Sequence, residues 1–293
     1  MSFGPHLLLA VLEGLVASAV LALTALGLSL VFGVMRVVNV AHGELFMLGA
    51  VLAWAITTAI GGSPALGFAA ALVIAPLIVG AVALLAERLV LRRLDYDPEA
   101  TIVATIGLLY ILQQLALSFY GADARPVPPP YNFRIALPWF GYSAYKLSII
   151  GISALILTLS WLILTRTRAG LIMRATQYDR QTAQAFGIPV GRVYGVVFAI
   201  GAMLAAIAAV LIVPISQAHY LMGQDPLLLS FAVVIIGGLG SLRGTVVAAL
   251  LIGSSDGVIS MFFSPTLARL IATLVVAMVL VFRPQGLFGK VSR

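Results

Sequence analysis

The stretch Val38-Asn39-Val40-Ala41-His42-Gly43-Glu44-Leu45-Phe46-Met47-Leu48-Gly49 separates two apolar runs, residues 8–32 and 45–60. Each run is long enough to approach or cross a bilayer, so Asn39, His42 and Glu44 fall at a break between membrane segments. Polar and ionisable groups are costly there and mark a pathway or a structural hinge. Two readings stay open. Gly43 permits a tight break while Asn39 and Glu44 cap the following helix, where a carboxylate also complements the dipole. Alternatively, the three side chains line or gate a path.

Outward from this break the composition is that of a membrane protein. Hydrophobic residues make up 62% of the 293 and charged residues 9%, with a mean hydropathy of +1.13. Apolar runs of about 20 residues recur, the length that crosses a hydrocarbon core of roughly 30 Å. The runs are continuous rather than alternating, which excludes a barrel and leaves helices. Spans are predicted at 8–32, 45–60, 65–86, 101–119, 147–165, 193–215, 227–239, 245–262 and 265–282. The fold class is therefore an all-α polytopic bundle of about eight to nine spans with two glycine-broken segments. The segments near Leu45 and Leu227 are short and glycine-bounded, so either is a candidate broken or re-entrant helix. No intervening stretch is long enough for a soluble domain, and residues 1–293 are expected to form one integral-membrane unit.

Cysteine is absent, which removes disulfides and thiolate metal sites. The net charge of +7 reflects loop arginines rather than a nucleic-acid surface. No signal peptide is expected, because no basic residue precedes the first run and Glu13 interrupts it. Thirteen of the 17 basic residues fall on one side if residues 87–100 are cytoplasmic: Arg36, Arg88, Arg92, Arg93, Arg166, Arg168, Arg174, Arg180, Arg192, Arg243, Arg283, Lys290 and Arg293. Arg125, Arg134, Lys146 and Arg269 fall on the other. The bias predicts an outside N-terminus and a cytoplasmic C-terminus. His6 and His219 then lie in outer segments, so they cannot join His42 in the three- or four-ligand set zinc needs.

Two loops stand out. Residues 121–146 hold Pro126, Pro128, Pro129, Pro130 and Pro138 among six aromatics, a stiff outer segment that cannot be a continuous helix. Residues 166–192, on the inner side, read as two short helical pieces, with Asp179 an N-cap, Gly187 a C′ residue and Pro189 preventing continuation. Ala183 and Phe186, three apart, are expected to share a face suited to a partner's groove or to lipid headgroups. Elsewhere, Asp256 follows Gly253-Ser254-Ser255 within an apolar span and must face protein or water rather than lipid. Gln113 and Gln114 suit interhelical hydrogen bonds. Gly201, Ala202, Ala205, Ala206 and Ala209 imply a close helix contact, with an internal or an external neighbour. A weak repeat is also expected between residues 32–53 and 235–253, each an apolar helix interrupted by a glycine-containing break.

Three motifs stand in order: Val38-Asn39-Val40-Ala41-His42-Gly43-Glu44, Gly237-Gly238-Leu239-Gly240-Ser241-Leu242-Arg243-Gly244 and Arg283-Pro284-Gln285-Gly286-Leu287-Phe288-Gly289. Between the first two lie Ala86-Glu87-Arg88, Ala104-Thr105-Ile106-Gly107-Leu108 with Gln113-Gln114, and residues 166–189. Together they resemble the shorter inner-membrane permease of the high-affinity branched-chain amino acid ABC importers, the Liv type, over essentially the whole chain. One departure is Arg243, where the resemblance leads one to expect proline or another uncharged residue.

The resemblance implies a bacterial inner-membrane transport subunit with no catalytic site, metal or cofactor of its own. A second homologous permease, two cytosolic ATPase subunits holding ATP and Mg, and a periplasmic substrate-binding protein are its implied partners, with membrane lipid around it. Residues 166–192 resemble the family's coupling loop, so Ala183, Ala185, Phe186 and Gly187 are the candidates for the ATPase contact. Asn39, His42, Glu44 and Asp256 are the pathway or gating candidates. No Gly-x-x-x-x-Gly-Lys-Ser/Thr stretch occurs, so nucleotide is bound elsewhere. Branched-chain or other hydrophobic amino acids are the implied cargo; urea, short amides or aromatic and other carboxylates are the alternative. An ion-coupled secondary transporter is disfavoured by the few intramembrane carboxylates and by the docking loop.

Overall fold

Apolar on every side, Phe3–Met35 folds into one 33-residue helix, α1, that runs buried through the bundle, as such a helix must. The computed structural model describes residues 3–282 and 286–288. Arg283, Pro284, Gln285 and Gly289 of the terminal motif, with Lys290 and Arg293, lie outside the described residues. Glycine lets the neighbours of α1 close in. Gly14 meets Gly253 and Ser254 of α10 (Leu242–Phe262), and Gly27 meets Gly201 of α8 (Val190–Ser216).

The helices α2 (His42–Ile60) and α3 (Pro64–Leu89) pack with α8, Gly49 against Ala206 and Gly80 against Met203. The Gly201, Ala202, Ala205, Ala206 and Ala209 row is buried within the chain, so its neighbours are internal. The helices α4 (Pro98–Tyr120) and α5 (Ala144–Arg166) lie at the periphery with most of their apolar surface exposed. Short α6 (Arg168–Tyr178) and α7 (Arg180–Ala185) follow, and α9 (Gln224–Gly237) and α11 (Pro265–Phe282) complete the set. The nine expected spans appear as α1–α5 and α8–α11, within a few residues of the predicted limits. Among the described residues, seven of the helices have the length and apolarity to cross a membrane. At 14 residues, or about 21 Å of rise, α9 falls short of a full crossing.

The proline-rich segment is not featureless. Strand β1 (Arg134–Ala136) pairs antiparallel with β2 (Gly141–Ser143), a ribbon the all-α reading did not anticipate. Lys146 donates to Glu13 at 2.6 Å, and Tyr131 stacks edge-on against Tyr145 at 6.0 Å, seating the segment on the bundle's end.

Residues 4–12 of α1 are mostly exposed or half-buried, so Glu13 marks one limit of its packed part and Met35 the other. Thr24 stands eleven residues from each, about 16 Å along the helix, and so marks mid-depth. From Met35 the chain turns back through Arg36, a non-glycine residue at φ 57°, and climbs over residues 36–41 to start α2 at that depth. There His42 Nε2–H donates to the Thr24 carbonyl at 2.9 Å, the tautomer assigned because a carbonyl only accepts. From the opposite end α8 stops at Ser216, Gln217 takes φ 62°, and residues 217–223 descend to start α9. The two starts meet at Gly43 and Gly223, where a Cβ on either would strike the other's carbonyl oxygen.

The repeat is therefore not the one the sequence suggested. The counterpart of residues 36–43 is 217–224, entering from the opposite end, an inverted relation. The glycine-rich residues 238–241 form instead a tight turn between α9 and α10, in which Gly237 and Gly244 lie back to back.

Candidate functional site

Two helix N-termini, each a partial positive charge, point at one another from Gly43 and Gly223. A carboxylate in each first turn, Glu44 in α2 and Asp225 in α9, offsets that charge. Their surroundings differ. Asn39, His42 and Glu44 are all within 1% of complete burial. Asn39 Oδ1 accepts from Ala41 N–H at 3.1 Å, bracing the dip, while Val40 N–H donates to Thr105 of α4 at 3.2 Å. The position before α2 is Ala41, with no side-chain cap, so the expected capping by Asn39 is corrected to this turn contact. His42 Nδ1 and Glu44 Oε2 have no partner among the described residues. Gln224, Asp225 and Leu228 are exposed at the same depth. The sequence reading missed Gln224 and Asp225, because nothing local shows that α9 begins half-way through the bundle.

At the end of the bundle that carries the arginines, three segments converge. Gly33 of α1 touches Gly240 of the α9–α10 turn; a Cβ at either would lie 2.9 Å from the other's Cα, and Gly240 has φ 77°. Gln177 of α6 donates through Nε2 to the Gly240 carbonyl at 3.5 Å, and Arg36 donates to the Gln177 carbonyl at 3.5 Å. The α9 end is closed by the chain's tail, Leu287 N–H donating to the Ile236 carbonyl at 2.7 Å. Gln177 thus bridges the loop before α8, the first dip and the glycine turn.

The loop itself is rigidly anchored. Asp179 Oδ1 accepts from the N–H groups of Gln181 and Thr182 at 2.9 and 3.1 Å, the predicted N-cap. Its other oxygen takes the Thr182 hydroxyl at 2.5 Å, and this bond, followed by the backbone one, holds the carboxyl below its ordinary range. Gly187 adopts φ 81° at the C-terminal end, as predicted for C′. Arg180 lies 5.6 Å from the ring centroids of both Tyr96 and Tyr194. Tyr96 in turn donates to buried Glu87 at 2.5 Å; burial first, and then this bond, push its phenol up. The Glu87–Tyr96–Arg180 chain straps α7 to the α3–α4 connection, a role no spacing in the sequence announced.

The shared face of Ala183 and Phe186 does not form. Phe186 is the C-cap of α7, its N–H still bonded to the Thr182 carbonyl, but Ala183 is buried in the core at 4% exposure while Phe186 stands 83% exposed, so one faces the core and the other away from it. Ala185 and Gly187 are exposed beside Phe186, and Tyr178 at 87% is the other protruding aromatic of the loop. Asp256 is half-buried on α10, one residue before the Gly257–Gly14 contact, and about 21 Å of helix separates it from Leu242. It is not brought together with Asn39, His42 and Glu44. Gln113 is half-buried, its Nε2 without a partner among the described residues, and Gln114 is exposed on α4.

Membrane-length helices, opposed re-entrant starts and a clamped loop with exposed aromatics define a polytopic membrane transport subunit. Residues 10–282 match the family described as branched-chain amino acid transport system / permease component, and the chain belongs to that family. It is 27% identical to the high-affinity branched-chain amino acid transport system permease protein BraD of Pseudomonas aeruginosa, over 97% of this chain and 96% of that one. Identity to the permease protein LivH of Escherichia coli is 26%, covering 95% and 94%. The ribose import permease protein RbsC of Haemophilus influenzae is 25% identical over 64% of this chain and 61% of its own.

Proposed function

We propose that this chain is one of two permease subunits of an ATP-driven, binding-protein-dependent importer of branched-chain or other hydrophobic amino acids. The observation that carries the reading is similarity along nearly the full length to branched-chain amino acid permeases, BraD and LivH. The basic end faces the cytoplasm of a bacterial inner membrane and the N-terminus lies outside, as the arginine bias requires. ATP and Mg are held by two partner ATPases, a second permease completes the pathway, and a periplasmic binding protein delivers the cargo. This chain performs no covalent chemistry.

Phe186, with Ala185 and Gly187 beside it, inserts into an ATPase groove, and Tyr178 contributes to the same surface. Ala183, being buried, sets the loop's seat. Closure of the ATPases moves α6 and α7 as a strapped unit, and Gln177 passes that motion to the Gly33–Gly240 contact. The start of α9 faces the translocation path, because exposed Gln224 and Asp225 at mid-depth cannot rest against lipid. Asn39, His42 and Glu44 brace the opposite dip rather than touch cargo.

Mild-detergent affinity purification with mass spectrometry tests this. Recovery of a second permease and two ATPases is expected, and Phe186→Asp is expected to lose the ATPases while still inserting in the membrane. Unchanged recovery with Phe186→Asp would remove the coupling assignment. Transport by the chain alone, without ATP, would replace the reading by secondary transport.

A further inference from the structure

Arg243, where the resemblance leads one to expect an uncharged residue, has no place in the transport reading. It lies exposed in the first turn of α10, where two hollows meet. One is a crevice of about 490 Å³ between α1, α5 and α10, walled chiefly by Leu26, Leu157, Leu242, Val246 and Val247. The other, about 510 Å³, opens on the same rim and adds Arg174, Gln177 and Thr165. Trp161, Leu164, Leu242, Arg243 and Phe288 line both. Among the described residues no acidic side chain lines either. Arg174 donates to the Leu164 carbonyl, which fixes its guanidinium near that wall.

An apolar slot among membrane helices that ends in two arginines, a tryptophan and a helix N-terminus is complementary to one kind of molecule. The slot suits an acyl chain. Guanidinium groups pair bidentately with phosphate, and the positive end of α10 adds to that field. Tryptophan is at home at headgroup level. We infer that this crevice binds an anionic phospholipid, its chain between α5 and α10 and its phosphate at Arg243 and Arg174. The inference needs only that the chain sits in a bilayer, and it stands or falls apart from cargo and ATPase partners.

The test uses the full-length protein, with whatever subunits accompany it, in phosphatidylcholine bilayers carrying trace spin-labelled phosphatidylglycerol or phosphatidylcholine. One surface arginine is worth about 1 kcal/mol toward an anionic lipid, so phosphatidylglycerol should be immobilised about fivefold in preference. Arg243→Gln should lower the ratio and the double variant Arg174→Gln, Arg243→Gln should bring it near one, Arg243→Lys should keep most of it, and Val247→Trp, which fills the slot, should reduce immobilisation of both lipids. Equal immobilisation in the unaltered protein, or a ratio untouched by Arg243→Gln, would overturn the site. So would abolition of the preference by excess inorganic phosphate together with indifference to Val247→Trp, which would assign the arginines to free phosphate.

Discussion

Residues 36–43 and 217–224 enter the bundle from opposite ends, each after a non-glycine residue in the left-handed region and each ending in a helix start with a first-turn carboxylate. Glu44 is buried, whereas Asp225 is exposed at the same depth. The backbone device is common to both; the surroundings assign the work. In the buried dip Asn39 and His42 bond to backbone, and no path from solvent reaches them. In the other dip Gln224 and Asp225 lie at the surface of this chain.

The contact shared by both dips is where the largest effect is expected. Gly43→Val or Gly223→Val would drive a side chain into the facing carbonyl, for a loss on the order of 3 kcal/mol, and monodisperse protein in detergent should fall sharply. If either variant accumulated and eluted normally, the head-to-head contact would be wrong. Asp225→Asn sharpens the contrast between the dips. It should insert and assemble normally yet transport about tenfold more slowly, the scale of one charge-assisted hydrogen bond to cargo, measured as uptake in proteoliposomes with ATP. Glu44→Gln, at the matching position, should leave uptake within about twofold, as surroundings rather than position decide.

How much of this was legible in the sequence follows from the range of the interactions. The nine helices came from apolar runs about the thickness of a bilayer, and Asp179 and Gly187 from local cap chemistry that acts within three residues. The matching of residues 36–43 with 217–224 was invisible because neither dip is rich in glycine, while the glycine-rich 237–244 drew attention to a tight turn instead. Ala183 and Phe186 were placed on one face by spacing alone, which does not say where the core lies: Ala183 meets it and Phe186 points away. Glu87, Tyr96 and Arg180 are separated by up to 93 positions, and only the folded chain brings a carboxylate, a phenol and a guanidinium into one strap.

Smaller effects test the loop proposed to link the dips to the partners. Gln177→Ala removes the donor to Gly240 and should weaken the coupling of ATP hydrolysis to uptake without loss of ATPase binding, read as more ATP spent per substrate moved. Arg180→Ala should cost about 1 kcal/mol of loop stability through the lost ring contacts, seen as faster amide exchange over residues 180–188. The slightest is the pH response of the cap. Because the fold lowers the Asp179 pKa, its contribution is present at neutral pH and lost as pH falls through the carboxylate range, so protection of the Gln181 and Thr182 amides, relative to their intrinsic exchange at each pH, should fall on acidification and not in Asp179→Ala.

The contrast between the dips is tested most directly by solvent access, and the absence of native cysteine makes the experiment clean. Single cysteines placed at position 225 and at position 42 in the assembled importer would be challenged with a small, charged, membrane-impermeant thiol reagent. The cysteine at 225 should react, and more slowly when cargo is present, while that at 42 should stay unmodified. Modification at 42, or none at 225, would contradict the assignment of one dip to bracing and the other to the path.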